Sequence, residues 1–188
     1  GICGVVHSEH TDRTGREYDR ARKLMTEEIN AAIEGAIEAG AEEIIVNDAH
    51  GAKRNIILEE LHPKAKLITG SPKPLGMMQG INSNFNAAFF IGYHAKAGTK
   101  NAVLDHTISS RIIYDIKVND MSIGELGLNA ALAGYFNVPV VLVTGDNMVT
   151  NEAKNLIKEV EIVTVKYAIG RYSALCPNPQ EIRELIKN

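Results

Sequence analysis

Two histidines sit directly after apolar runs that read as buried strands. His50 follows Glu43-Ile-Ile-Val-Asn47, and His94 follows Asn86-Ala-Ala-Phe-Phe-Ile-Gly92. A third run, Val138 to Thr144, leads into Gly145-Asp146. Three strand ends thus deliver His or Asp to one rim. Neutral imidazole and carboxylate are both good ligands for zinc. A single histidine after a strand is more often a structural hydrogen-bonding group, but two with acidic neighbours at the same edge point to a divalent-metal site. Asp48 or Asp146 is expected to orient a ligand imidazole from behind.

Glu125 is a further candidate with two readings. Ser122-Ile-Gly-Glu125 ahead of an apolar helix has the form of a capping box. Gly124 and Gly127 flank the glutamate, however, and allow something to approach that helix start closely. His106, in Leu104-Asp-His-Thr107, follows the loop Lys96-Ala-Gly-Thr-Lys-Asn101. A loop histidine near a metal suits proton transfer, because imidazole titrates near neutrality; without such support it is an ordinary surface residue. His7, His10 and His62 read as ordinary.

The elements that must position these groups alternate between helix and strand periods. Met25, Ile29, Ala32, Ile33, Ala36 and Ile37 make one apolar face over Tyr18 to Ala39, and Gly40 is placed to end that helix. A shorter helix is expected over Asn55 to Leu61, and a strand over Lys66-Leu-Ile-Thr69. Ser71-Pro-Lys-Pro74 reads as loop. Ile112 to Asn119 alternates like a half-exposed strand, with Asn119-Asp120 as a turn. Helices are expected over Ser122 to Phe136, Asn151 to Lys158 and Glu181 to Lys187, with a strand over Glu161 to Ala168. The fold class implied is α/β, a mostly parallel sheet with helices on both faces. In such sheets ligands gather outside the carboxyl ends of the strands.

Composition narrows the partners. The 188 residues fit a single domain, with 45% hydrophobic and 23% charged residues. A formal charge of −3 argues against nucleic acid, which usually demands a basic face. No apolar run is long enough to cross a bilayer, so no membrane partner is expected. Two cysteines, Cys3 and Cys176, cannot make a thiolate zinc site and are expected to be reduced. Phosphate-cradling glycine loops, His-Glu-x-x-His and Gly-x-Ser-x-Gly are all missing, which disfavours a nucleotide-binding module. Both ends look cut: no strand precedes Gly1, and the chain stops in the helix-like stretch Glu181 to Lys187.

Asn47-Asp-Ala-His50-Gly, Gly92-Tyr-His94-Ala, the His106 segment and Gly124-Glu-Leu-Gly-Leu-Asn-Ala130 together resemble the DppA-type zinc-dependent D-aminopeptidases. Tyr18-Asp-Arg-Ala-Arg-Lys-Leu-Met-Thr-Glu-Glu28 and Leu61-His-Pro63 fit the same family. The resemblance runs along nearly the whole chain in the same order. It implies a cytoplasmic peptidase that removes D-amino acids from the amino end of short peptides. It further implies two zinc ions, with His50, His94 and Glu125 as metal ligands and His106 as the catalytic histidine, acting either as nucleophile or in proton transfer. A homo-oligomer, a ring-like decamer, is implied too. The family's two other acidic ligands lie in an Asp-x-Glu motif just ahead of the residues matching Gly1-Ile-Cys-Gly4, outside this sequence. The competing expectation is a non-catalytic, metal-stabilised binding or assembly subunit.

Overall fold

The computed structural model describes residues 1–188. Four helices and eight strands follow one another as α1 (Tyr18–Glu38), β1 (Ile44–Asn47), β2 (Ala65–Ile68), β3 (Ala88–Tyr93), β4 (Ile116–Val118), β5 (Met121–Ile123), α2 (Glu125–Tyr135), β6 (Val140–Asp146), α3 (Asn147–Leu156), β7 (Glu161–Gly170), β8 (Ser173–Leu175) and α4 (Pro179–Lys187). The main sheet has the order β3-β6-β7-β8. β3, β6 and β7 are mutually parallel, and β8 closes the edge antiparallel to β7. β1 and β2 form a separate parallel pair.

Strand periodicity decides which residues meet which helices. Phe90 and Val143 point to one face, where α2 and α3 supply Leu126, Ala133, Val149 and Ala153. The neighbouring Ile91, with Val163 and Val165, points to the other, where α1 and α4 supply Ala31, Ala32, Ile182 and Ile186. The sheet is therefore covered on both sides, as its continuous apolar strands require. A second edge of α1 lies over β1 and β2, with Ile33 buried among Ile44, Val46 and Leu67. No helix is long and apolar enough to cross a membrane.

α1 ends as its sequence demands. Gly40 takes φ +96°, and the amides of Gly40 and Ala41 return to the carbonyls of Ile37 and Ala36. Those two bonds are a Schellman cap. Asn119 and Asp120 both adopt positive φ in the two-residue turn of the β4–β5 hairpin, the backbone that matches strand twist.

Several expectations need correction. Asn55 to Leu61 is not a helix; only a single 3-10 turn, Leu58–Glu60, forms there. The amides of Asn55 and Ile56 that would begin it are taken by the buried Asp48 carboxylate. The strand expected from Ile112 is confined to Ile116–Val118, because the amides of Ile112 and Ile113 turn back onto the Ser109 carbonyl. α2 starts at Glu125, since Ser122 is paired with Lys117 in the hairpin. α3 starts four residues early because Asp146 caps it, accepting from the amides of Met148 and Val149.

Close packing gives two glycines opposite signs. A Cβ on Gly35 would lie 2.3 Å from the Lys187 carbonyl oxygen, where α1 crosses α4, whereas one on Gly134 would meet nothing within 4 Å. Gly35→Ala is expected to destabilise by about 1–3 kcal/mol. Gly134→Ala is expected to stabilise by about 0.4–1 kcal/mol, mostly through the unfolded chain. Urea midpoints measure both, and equal effects would contradict this packing.

Candidate metal centre

Each candidate histidine reaches the site from a loop whose backbone a carboxylate holds. Asp48, 1% exposed, accepts from the Asn55 and Ile56 amides and from Asn55 Nδ2, which also donates to the His50 carbonyl at 2.7 Å. Lys73 Nζ donates to the Asp48 carbonyl at 2.6 Å. After His94, the Lys96 amide donates to Glu152 at 3.0 Å. The loop bearing His106 is tied at Val103, whose amide donates to Asp146 at 2.7 Å, and at Gly98, whose amide donates to Asp105 at 2.7 Å. Asp48 and Asp146 therefore hold backbone amides; the role of orienting a ligand imidazole is not theirs. Carboxylates buried this deeply need such donors.

Glu125 is the meeting point. The capping-box reading fails here, because Gly124 is the N-cap and no side chain caps the helix. Ser122 Oγ instead meets Lys96 Nζ at 2.5 Å and donates to Asp115. The Glu125 carboxylate, nearly buried, turns away from its own helix and accepts from the Ile108 amide at 2.7 Å. Gly124 allows this arrangement. A Cβ there would lie 2.7 Å from Lys96 Cβ, so the close approach left open by the sequence is that of the segment after His94.

His94 and His106 converge on that carboxylate. Their rings stack with centroids 3.8 Å apart. His94 Nε2 lies 3.5 Å from Glu125 Oε2, and His106 Nε2 lies 3.7 Å from Oε1. The other ring nitrogens are engaged: His94 Nδ1 with the Ala95 carbonyl at 3.1 Å, His106 Nδ1 with the Leu104 carbonyl at 2.7 Å. A carbonyl only accepts, so each Nδ1 carries its proton and each neutral ring presents a lone pair at Nε2. Two lone pairs and an anion thus face one another, with ligating atoms all within 4.8 Å. A divalent cation fits that donor set.

His50 lies beside this group rather than in it. Its Nε2 is 3.6 Å from where a Cβ of Gly92 would stand. Of the residues singled out in the sequence, then, His94, His106 and Glu125 are brought together, and His50 adjoins them. His10 pairs with Glu17, and His62 accepts from the Lys64 amide. Ile108 was missed because its contribution is a backbone amide, which no side-chain pattern reveals.

The His106 loop is strained. Leu104 and Ile108, on either side of His106, take φ +51° and +61°. Each such non-glycine residue costs on the order of 1–3 kcal/mol and persists only where its surroundings over-determine it.

Withdrawal from water pushes the His50 imidazole down to about 3. It lowers His106 as well, helped by the positive charge His94 would carry. Burial would raise Glu125, but His94, which once protonated supplies both a hydrogen bond and a positive charge, and the Ile108 amide hold it at about 2.

The chain resembles characterised proteins along its whole length. A D-aminopeptidase family model, peptidase family M55, matches residues 1–188. The chain is 40% identical over 189 residues to a D-aminopeptidase of Bacillus subtilis (strain 168), the match spanning 99% of this chain and 67% of that protein. It also superposes, at TM-score 0.94 and 40% identity, on the structure of "Zn-dependent D-aminopeptidase DppA from Bacillus subtilis, a self-compartmentalizing protease", covering 100% of this chain and 68% of that one.

The shifts fix an acid dependence. His50 and His106 have folded values below the unfolded value of 6.5, so the unfolded state binds more protons as pH falls below 6.5. Glu125, lowered from 4.5 to about 2, acts in the same direction further down. The stability these three groups contribute to the metal-free protein is therefore present in full above pH 6.5 and lost on acidification, whereas Glu28, which burial raises from 4.5 to about 7, acts in the opposite sense between those values. In Glu28→Gln, which removes that opposing group, the urea midpoint with chelator should fall steadily from pH 7 to pH 4, and a flat profile in this variant would contradict these assignments.

Proposed function

This chain belongs to the D-aminopeptidase family, peptidase family M55, and on that premise we propose that it supplies the centre of a zinc-dependent aminopeptidase. Its substrates are short peptides, cleaved at the amino end, with a D-residue released. The observation that carries the reading is the convergence of His94 Nε2 and His106 Nε2 on the Glu125 carboxylate within 4.8 Å. Zinc-dependence of the Bacillus relative supports the choice of metal.

In this reading His94, Glu125 and the adjoining His50 would hold the zinc, two ions in all, and the remaining lone pair of the group, on His106, is left for the reaction. When bound, zinc supplies Lewis acidity, polarising a carbonyl and making water acidic near neutrality. His106 presents an unprotonated Nε2 toward the reacting bond while Leu104 keeps Nδ1 protonated. Its lowered pKa leaves it neutral at pH 7, ready to take a proton and return it to the leaving amine. The Ile108 amide holds the Glu125 carboxylate against rotation.

The assembly in this reading is a homo-oligomer, which the self-compartmentalizing relative supports, and its decameric form is what the family resemblance implies. The cytoplasm is the proposed compartment, in keeping with the free thiols of Cys3 and Cys176.

Two variants of the complete chain test the site. His94→Ala should lose zinc after dialysis, as read by elemental analysis. His106→Ala should keep its zinc yet hydrolyse D-alanine p-nitroanilide on the order of 10²–10⁴-fold more slowly. Parent activity should vanish with chelator and return with zinc. A parent that binds zinc but turns over neither the D- nor the L-alanyl amide would favour a metal-stabilised assembly subunit instead.

A further inference from the structure

Arg171 stands at the turn between β7 and β8, far in sequence from every residue assigned above. Its contacts nonetheless concentrate on the two residues before His106. The Arg171 carbonyl accepts from the Leu104 amide at 2.9 Å. Its Nη2 donates to the Asp105 carbonyl at 2.9 Å, and its Nε lies 3.3 Å from Asp105 Oδ1. The other carboxylate oxygen of Asp105 accepts from the Gly98 amide at 2.7 Å. One guanidinium therefore grips a carbonyl and a carboxylate of the same residue, and that carboxylate in turn closes the loop onto its own start.

This grip matters because of what it borders. Leu104 has positive φ, and its carbonyl is the group that holds His106 Nδ1. Turning the Leu104–Asp105 peptide would release that carbonyl, free the imidazole to rotate or change tautomer, and take Nε2 off the Glu125 carboxylate. The Leu104 amide and the Asp105 carbonyl flank that peptide, and Arg171 holds both. Planar, multi-donor guanidinium suits such a clamp, whereas a lysine ammonium is a point charge.

We propose that Arg171, acting through Asp105, is a positioning residue for His106, setting its tautomer and its aim at the reacting bond. The proposal rests on the aminopeptidase reading for its catalytic consequence. Its structural half stands without it. Arg171 touches no metal ligand, so it affects turnover rather than metal binding.

The test uses the complete, zinc-loaded enzyme and its Arg171→Gln, Arg171→Lys and Asp105→Asn variants. With D-alanine p-nitroanilide, Arg171→Gln should lower kcat on the order of tenfold to a hundredfold, as a misaimed catalytic group does. KM should stay within about twofold and zinc per chain should be unchanged, which separates positioning from lost binding. Arg171→Lys, which keeps a cation for Asp105 but not the fork, should recover part of that loss. Asp105→Asn should show the same split as Arg171→Gln. Hydrogen exchange of the 102–108 segment should quicken in Arg171→Gln and stay unchanged elsewhere. An unaltered kcat, or a fall in kcat shared with lost zinc and raised KM, would overturn the proposal. If the parent hydrolyses no alanyl amide, the function reading fails; the exchange data then decide, and unchanged exchange at 102–108 overturns the clamp itself.

Discussion

A nearly buried carboxylate facing two imidazole lone pairs is an arrangement that neutral protein atoms alone do not stabilise. Glu125 has one hydrogen-bond donor of its own, the Ile108 amide, while His94 and His106 turn their unprotonated nitrogens toward it. Either a proton shared across the group or a cation must relieve that crowding. Much of the surrounding structure makes sense as the means of keeping these acceptors close. Gly124 removes the side chain that would hold the His94 segment away, and the strained backbone at Leu104 and Ile108 bends the His106 loop inward.

The acidic residues around the centre divide the labour. Asp48, Asp105, Asp146 and Glu152 each give at least one oxygen to a backbone amide of the loops that follow the strands. Loops at the carboxyl edge of a parallel sheet have no ladder of their own, so each needs such a staple. Glu125 differs because its carboxylate also faces two imidazole nitrogens, those of His94 and His106. A rigid frame thus surrounds a small group of deliberately unsatisfied acceptors, the pattern expected of a metal centre.

Periodicity made the frame legible in the sequence. The continuous apolar strands and the single apolar stripe of Tyr18 to Ala39 demanded a sheet covered on both faces, and His94 at the end of β3 was visible for the same reason. What escaped was decided at longer range. Ser122-Ile-Gly-Glu125 satisfies every local rule for a capping box, yet the hairpin claimed Ser122 and the His106 loop claimed Glu125. Asn55 to Leu61 has helical spacing, but one buried aspartate took its first amides. Asp48 and Asp146 could be read as acidic groups near histidines, while their attachment to amides depends on loop paths that side-chain types do not encode. Arg171 carried no local signal at all; its partner Asp105 is 66 residues away.

The most direct measurement is the anomalous diffraction signal of zinc in crystals of the complete chain, collected on both sides of the zinc absorption edge. The account predicts a peak in ligand contact with His94 Nε2 and the Glu125 carboxylate, with His106 Nδ1 still on the Leu104 carbonyl. A zinc peak elsewhere, with His94 outside its coordination shell, would contradict it.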